Sequence, residues 1–241
     1  MNYADDNNPY RNWGTVAAQA TENERAAFIR KTYTHLLGAV LAFCAIEAVL
    51  LNSPIAETWT NLVFSSQIGW FAVLIAFTGV SYIADSWART TTSQQTQYMG
   101  LGLYVVAQSF ITLPLLYEAK TNFGPEIITN AAILTGVIFL GLTAAAFITG
   151  VDFSFLRTAL TVGLFGAIGV AICSWLFGFQ PGILFVGAML ILAAGYILYY
   201  TSNVMHHYRL DQHVAAALAL FSAVALLFWY VLQLLMSLNR R

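Results

Sequence analysis

Between Asp211 and Arg240 the chain reads QHVAAALALFSAVALLFWYVLQLLMSLN, 28 residues without Asp, Glu, Lys or Arg. A helix needs about 20 mostly apolar residues to cross a bilayer, so this run predicts a membrane-spanning helix at 214–238. The whole chain has the same character, with 10 Lys and Arg, 11 Asp and Glu, and 59% hydrophobic residues in 241. Soluble domains carry roughly 25% charged residues, and disordered chains are poor in apolar residues. Both classes are therefore excluded.

The positions of the charged residues divide the remaining sequence into further spans. The longest gap, 51 uncharged residues between Arg157 and Arg209, holds two spans separated by the turn-forming residues 178–182. Long continuous apolar runs favour helices over the alternating strands of a β-barrel. We therefore predict an all-α polytopic membrane protein, with a polar N-terminal tail at 1–24 and a seven-helix transmembrane domain at 25–241. The predicted spans are 33–52, 67–85, 97–117, 127–148, 158–177, 182–203 and 214–238.

The sequence Thr-Glu-Asn-Glu at 21–24 predicts the start of the first helix. In a capping box, a Thr and a Glu three residues later satisfy each other's free backbone amides. The residues that follow, among them Phe28 and Leu36, form an amphipathic lead into the first span.

The distribution of Lys and Arg over the short loops predicts the orientation. With the N-terminus in the cytoplasm, that side holds seven of these residues and the opposite side three. We therefore expect a plasma (inner) membrane protein with a cytoplasmic N-terminus and an external C-terminus. A re-entrant seventh segment would instead return the C-terminus to the cytoplasm. The seven are Arg11, Arg25, Arg30, Lys31, Arg89, Arg157 and Arg209, and the three are Lys120, Arg240 and Arg241.

Several functional classes are not supported by the composition. The net charge of −1 offers no basic footprint for nucleic acid. Cys44 and Cys173 lie in apolar sequence and are interpreted as small core residues rather than a disulfide. An intramembrane serine protease needs a Ser and a His within the membrane, and an aspartyl one needs two Asp. The predicted span interiors contain no Asp, and the nearest His, His35, lies at the edge of the first span. We expect no enzyme activity, no cofactor and no resident metal.

Glu47 is the one charged residue well inside a predicted span. An ionisable group within a bilayer is costly, and such residues usually face a cavity or the bundle interior. Glu47 is therefore a candidate cation or proton site. The alternative is a neutral glutamate that hydrogen-bonds to a neighbouring helix or reaches towards the membrane surface.

Three further polar residues are candidates for an ion path or a polar bundle interior. Asp85, at the end of the second span, lines a cytoplasmic vestibule with Tyr200 in one interpretation and is a solvated helix end in the other. Gln108 lies in the third span near Pro114, which is expected to kink the helix and free backbone carbonyls for polar partners. A structural kink is the simpler interpretation of Pro114.

The loop between the sixth and seventh spans is rich in titratable groups. His206, His207, Asp211 and His213 are ligand types for zinc, but their spacing does not place a metal pair on one helix face. We interpret them as a cytoplasmic loop that responds to pH, because histidine titrates near neutrality.

Three stretches resemble the transmembrane Bax inhibitor motif family, specifically its bacterial members. They are ERAAFIRKTY at 24–33, LTAAAFITGVDFSFL at 142–156, and GYILYYTSNV at 195–204, which continues through HHYRLDQ at 206–212. Their order and spacing match the family over roughly residues 24–235. The resemblance implies a seven-helix bundle in which the last helix is surrounded by the other six.

The family is associated with suppression of cell death, with calcium leak across membranes and, in bacteria, with restraint of a membrane-bound ATP-dependent protease. The calcium leak is attributed to two facing aspartates that share a proton near the cytoplasmic ends of the last two helices. At the matching positions this chain has Tyr200 and Ala223. The resemblance therefore implies a role in membrane stress and cation homeostasis, as a leak pathway without the di-aspartate gate. The alternative is a non-conducting regulator of such a protease.

Overall fold

The computed structural model describes residues 15–65, 67–90, 93–179 and 181–239, and the described chain is almost entirely helical. Seven of the helices in this part are long and apolar enough to cross a membrane. This confirms the predicted all-α polytopic membrane fold. The α-helices are α1 (Glu22–Leu51), α2 (Pro54–Phe64), α3 (Gln67–Ala88), α4 (Gln94–Phe123), α5 (Glu126–Thr149), α6 (Leu156–Phe177), α7 (Ile183–His206) and α8 (His213–Asn239).

The first helix begins at the predicted capping box. The Thr21 hydroxyl accepts a hydrogen bond from the Glu24 backbone N–H, and the Glu24 carboxylate accepts one from the Thr21 backbone N–H at 3.1 Å. The amphipathic lead therefore belongs to α1 itself. At other ends, Gly150 and Gly178 close α5 and α6 with φ angles of 59° and 69°, a left-handed conformation that glycine adopts without steric cost.

The last helix lies at the centre of the bundle. α8 packs against α1, α3, α4, α5 and α7, whereas α6 packs mainly on α7 at the periphery. The first turns of α8 consist of small residues that are fully buried, namely Val214, Ala215, Ala216 and Ala217. Small side chains let neighbouring helix backbones approach closely, which is the main source of helix association in a membrane. The central last helix agrees with the arrangement that the resemblance implies.

One helix was missed by the sequence prediction, which left residues 53–66 as a connection. α2 has 11 residues and is too short to cross a bilayer. Pro54 occupies its first turn after Ser53, and Glu57 adds a negative charge near its N-terminus, both of which favour a helix start. The spacing of charges could not indicate α2, because Glu57 lies inside it and the rest of the helix adjoins the uncharged run that holds α3.

The two cysteines also differ from expectation. Cys44 and Cys173 are free thiols, as predicted, but both are exposed on the outer surface of the bundle rather than buried in its core. In a membrane protein an apolar surface faces lipid, so apolar sequence alone does not indicate burial.

Pro114 lies inside α4, which continues through it to Phe123. Proline has no backbone N–H, so the carbonyl of Phe110, four residues earlier, loses its helical hydrogen bond. The Trp59 indole N–H of α2 donates to this carbonyl at 2.8 Å. The freed carbonyl is thus satisfied by a side chain, and α2 is fixed to α4 at this point.

The substitution Trp59→Phe tests this contact. Phenylalanine retains an aromatic ring against Phe110, whose centroid lies 5.7 Å from that of Trp59, but it cannot donate a hydrogen bond. We expect a loss of about 1 kcal/mol in the free energy of unfolding, typical for a hydrogen bond inside a membrane protein. Thermal unfolding in detergent measures it.

The control for this prediction is the same substitution in a Pro114→Ala background. There the backbone N–H at position 114 can bond to the Phe110 carbonyl itself, so Trp59→Phe should cost clearly less. Equal losses in the two backgrounds would show that the indole stabilises the protein by packing alone.

Candidate functional site

The three stretches that carry the family resemblance meet at one end of the bundle, here called the tail end. The tail end contains the start of α1 and the connections α3–α4, α5–α6 and α7–α8, which lie together because consecutive spanning helices run in opposite directions. The opposite end is called the far end.

The α5–α6 connection is fixed to α7 by hydrogen bonds. The buried Ser202 hydroxyl accepts from the Phe153 backbone N–H at 2.9 Å. Asp152 accepts from the Ser154 backbone N–H at 2.9 Å and pairs with His207 Nε2 at 3.0 Å. The Ser154 hydrogen bonds hold the pKa of Asp152 below its ordinary value, and His207 adds to this lowering. Asp152 therefore links the two connections as a carboxylate at neutral pH.

The N-terminal segment is bonded to the α7–α8 connection. Val16 and Arg209 form an isolated antiparallel β-bridge. The Ala17 N–H donates to the Tyr208 carbonyl at 2.9 Å, and the Leu210 N–H donates to the Thr15 carbonyl at 3.1 Å. Residues 15–17 therefore belong to the tail-end structure rather than to a separate tail.

Asp85 lies at the tail end and forms an ion pair within α3 and its last turn. Its carboxylate accepts from Arg89 Nε at 2.7 Å, and its side chain is 40% exposed. This hydrogen bond raises the pKa of the Arg89 guanidinium, while burial raises the pKa of the neighbouring Tyr208. The geometry is that of a partly solvated helix end. Asp85 already has a charge partner, and its position gives it no obvious role as a free cation ligand.

The titratable residues of the α7–α8 connection are not gathered into one cluster. His206 Nδ1 lies 3.0 Å from the Ser202 carbonyl, and His207 pairs with Asp152. Asp211 pairs with Arg209, and the centroid of the buried His213 ring lies 5.0 Å from that of His35.

Within the described ranges no group of three or more His, Cys, Asp or Glu is arranged to hold a metal. A pH response of this loop stays a prediction.

Tyr200 and Ala223 fill the positions at which the resemblance places the two aspartates. Tyr200 is half-buried, and its ring stacks on Tyr196 with centroids 5.7 Å apart. Ala223 is 2% exposed and belongs to an apolar cluster with Ile197 and Leu227. An aromatic stack and a methyl group thus occupy the two positions that hold aspartates in the family.

Glu47 lies about one helical turn before the far end of α1 and is 4% exposed. Among the described residues neither of its carboxylate oxygens has a hydrogen-bond partner. The side chain lines a cavity of about 550 Å³ between α1, α5 and α8. The functional alternative from the sequence, in which Glu47 faces a cavity, fits this geometry, whereas a hydrogen bond to a neighbouring helix is not observed.

Gln108 is buried within α4 and is satisfied locally, because its Nε2 donates to the Thr112 hydroxyl at 3.1 Å. The described lining of the Glu47 cavity does not include Gln108, Asp85 or Tyr200. The four predicted ion-path residues are therefore not brought together into one path.

Sequence reasoning missed Asp152 and Ser202, which hold the tail-end loops together. Asp followed two residues later by Ser, after a Gly, is a local signal for a carboxylate that caps its own backbone. The partner of Asp152, however, is 55 residues away at His207. No local signal could have indicated that pair.

Comparison with known proteins gives a match over nearly the whole chain. Residues 25–240 match the family model described as inhibitor of apoptosis-promoting Bax1. An uncharacterized protein of Pseudomonas aeruginosa is 28% identical, with 90% of this chain and 92% of that protein covered. Bax inhibitor 1 of Schizosaccharomyces pombe is 26% identical, with 92% and 80% covered. The Golgi anti-apoptotic protein of vaccinia virus is 27% identical, with 95% and 93% covered.

The family match covers α1 to α8, which includes the tail-end loops and the central last helix. The chain therefore belongs to the Bax inhibitor family of multi-pass membrane proteins.

Proposed function

We propose that the protein acts in membrane stress and cation homeostasis, as a slow leak pathway that lacks the di-aspartate gate. The buried Glu47 carboxyl carries the proposal, since an intramembrane acid that lines a cavity is a common mark of an ion or proton path. Family membership supports the general role. The excess of Lys and Arg on one side supports an N-terminus in the cytoplasm, and we place the protein in the plasma (inner) membrane.

The oxygen atoms around Glu47 limit what the pathway can carry. Calcium takes six to eight oxygen ligands in most sites. The cavity lining offers the Glu47 carboxylate and, elsewhere along the cavity, the hydroxyls of Tyr33 and Thr135, of which Tyr33 lies 14 residues from Glu47 on α1. We therefore propose a slow flux with weak preference for calcium, without the pH gate that two facing aspartates provide.

Proteoliposomes loaded with a calcium indicator test the leak. Wild-type protein should admit calcium at a low rate that exceeds the rate of empty liposomes. Glu47→Gln should lower the rate several-fold, because it removes the one buried carboxylate. The variant Tyr200→Asp/Ala223→Asp should make the rate depend on pH, because two close carboxylates in a low-dielectric site share a proton near neutrality.

The single variants Tyr200→Asp and Ala223→Asp are the matched controls, since each supplies one acid without a partner. Wild-type flux no higher than that of empty liposomes at every pH would contradict the leak. An unchanged rate in Glu47→Gln would show that Glu47 is not on the path.

The alternative function, regulation of a membrane-bound ATP-dependent protease through protein contacts, is favoured by a different observation. Residues 15–17 are bonded to the α7–α8 connection, which also carries His207 of the Asp152–His207 pair. The partly exposed pairs Asp152–His207 and Asp85–Arg89 provide a polar surface at this end of the bundle. Such a surface suits recognition by another membrane protein.

Affinity purification of the full chain from its native membrane, with the protease detected by mass spectrometry, tests this alternative. Replacement of residues 1–14 by a Gly/Ser segment of equal length should abolish recovery of the protease. The substitution Glu57→Gln, on α2 at the far end of the bundle, is the control and should leave recovery intact. Recovery that survives the replacement, or an unchanged lifetime of protease substrates without this protein, would contradict the regulator.

A further inference from the structure

The cavity beside Glu47 is a groove that opens sideways from the bundle. Its walls are α1 and α5, both of which pack on α8, and its floor includes Phe221 and Phe228 of α8. Leu37 and Leu140, on the two walls, are 59% and 65% exposed. In a membrane these side chains face the lipid, so the groove is accessible from the hydrocarbon and not only from water.

The lining is apolar except at a few points. Most of the side chains are aliphatic or aromatic, and Glu47 is the one charged residue among those that the structure describes there. Ligand sites for small molecules typically have volumes of about 300–1,000 Å³, with mostly apolar walls and few polar groups that orient the ligand. The groove, at about 550 Å³, has this character.

The length of the groove suits a single alkyl chain. On α1 it extends from Tyr33 to Leu51, and Glu47 lies near the far end. The 14 residues between Tyr33 and Glu47 correspond to about 21 Å of helix at 1.5 Å per residue. One leaflet contributes about 15 Å to the hydrocarbon thickness. A chain as long as those of membrane lipids therefore fits between the carboxyl group and the tail end.

The carboxyl group supplies the charge complementarity. Neither oxygen of Glu47 has a hydrogen-bond partner within the described structure, although the side chain is almost fully buried. A buried carboxylate without a partner costs free energy, which an opposite charge that also donates hydrogen bonds offsets. An alkylammonium group has up to three such donors and one positive charge.

We propose that the α1–α5 groove binds a single-chain lipophilic amine, whose alkyl chain lies along the groove towards Tyr33 and whose ammonium group pairs with Glu47. The ligand enters laterally from the bilayer, between the exposed side chains of α1 and α5. This site goes beyond the proposed leak, because it is defined by binding and requires no flux.

The two native cysteines provide a thiol inside the groove and a control thiol outside it. Cys44 lies on α1 three residues before Glu47, lines the groove and is exposed. Cys173 is exposed on α6, on which the described groove lining includes no residue. A bound alkyl chain should shield the first thiol and leave the second unchanged.

The experiment uses the full-length protein in lipid nanodiscs and a neutral methanethiosulfonate reagent, with labelling of each cysteine followed by mass spectrometry. Hexadecylamine is the probe, and it is protonated at pH 7 since aliphatic amines titrate near pH ~10.4. Hexadecanol has the same chain without the charge. We expect hexadecylamine to slow labelling of Cys44 but not of Cys173, with half-protection at about tenfold lower mole fraction than hexadecanol.

Two variants separate the head group from the chain. Glu47→Gln should remove the preference for the amine over the alcohol. Gly136→Leu should abolish protection by both, because Gly136 lines the groove and a side chain there enters open space. Gly141→Leu is the matched control, since Gly141 also lies on α5 with open space around it but is not part of the described lining.

Three outcomes would overturn the proposal: no protection of Cys44 by hexadecylamine, equal protection by hexadecanol in the wild type, or a preference for the amine that survives Glu47→Gln. The comparison of the two probes on wild-type protein needs no variant, so misfolding of Glu47→Gln leaves a decisive test. Because the readout is thiol protection, loss of this site and loss of calcium flux are measured separately.

Discussion

The hydrocarbon interior of a bilayer offers no water, so each polar group within it needs a hydrogen-bond partner from the protein. The described helices meet this constraint at some buried positions and not at others. Gln108 finds Thr112 one turn away, and the Phe110 carbonyl, freed by Pro114, finds the indole of Trp59. The Glu47 carboxyl departs from it, because neither of its oxygens is bonded although it is buried. The hydroxyls of Tyr33 and Thr135 also lack a partner among the described residues, and both line the same groove. Glu47 is the one carboxyl group in this set, which is the reason to look for a ligand in the groove.

Most of the fold could be predicted because a membrane-spanning helix requires a long run of apolar residues, which the sequence shows directly. Gaps between charges indicated the seven spans, and Thr21 with Glu24 indicated the start of α1, since both depend on residues close together in sequence. α2 could not be found in this way, because Glu57 lies inside it and no gap between charges encloses it. A tertiary contact from Trp59 to Phe110 holds it in place. The exposed cysteines show the same limit, as apolar sequence does not distinguish a core from a lipid-facing surface.

The candidate site was predictable only in part. Glu47 stood out because it is the one acid well inside a span, but the groove beside it depends on the separation of α1 and α5, which no local pattern encodes. The pairing of Asp152 with His207 joins residues 55 apart and arises from the meeting of two connections. Tyr200 was singled out by resemblance alone, and the structure adds that its ring is packed against Tyr196.

In this chain the buried acid, Glu47, lies apart from the positions of Tyr200 and Ala223, whereas the family's di-aspartate arrangement has acid and gate at one place. In that arrangement, acid and gate lie together between the last two helices at the tail end. Here the tail-end position is filled by Tyr200 and the buried Ala223, whereas the unpartnered acid lies near the far end in a groove whose described lining contains no residue of α7. In the proposed leak, a cation that reaches Glu47 crosses the groove between α1 and α5, whose floor is formed by α8. Alkyl chains from the bilayer compete with ions for this groove, since its walls are apolar and it opens to the bilayer.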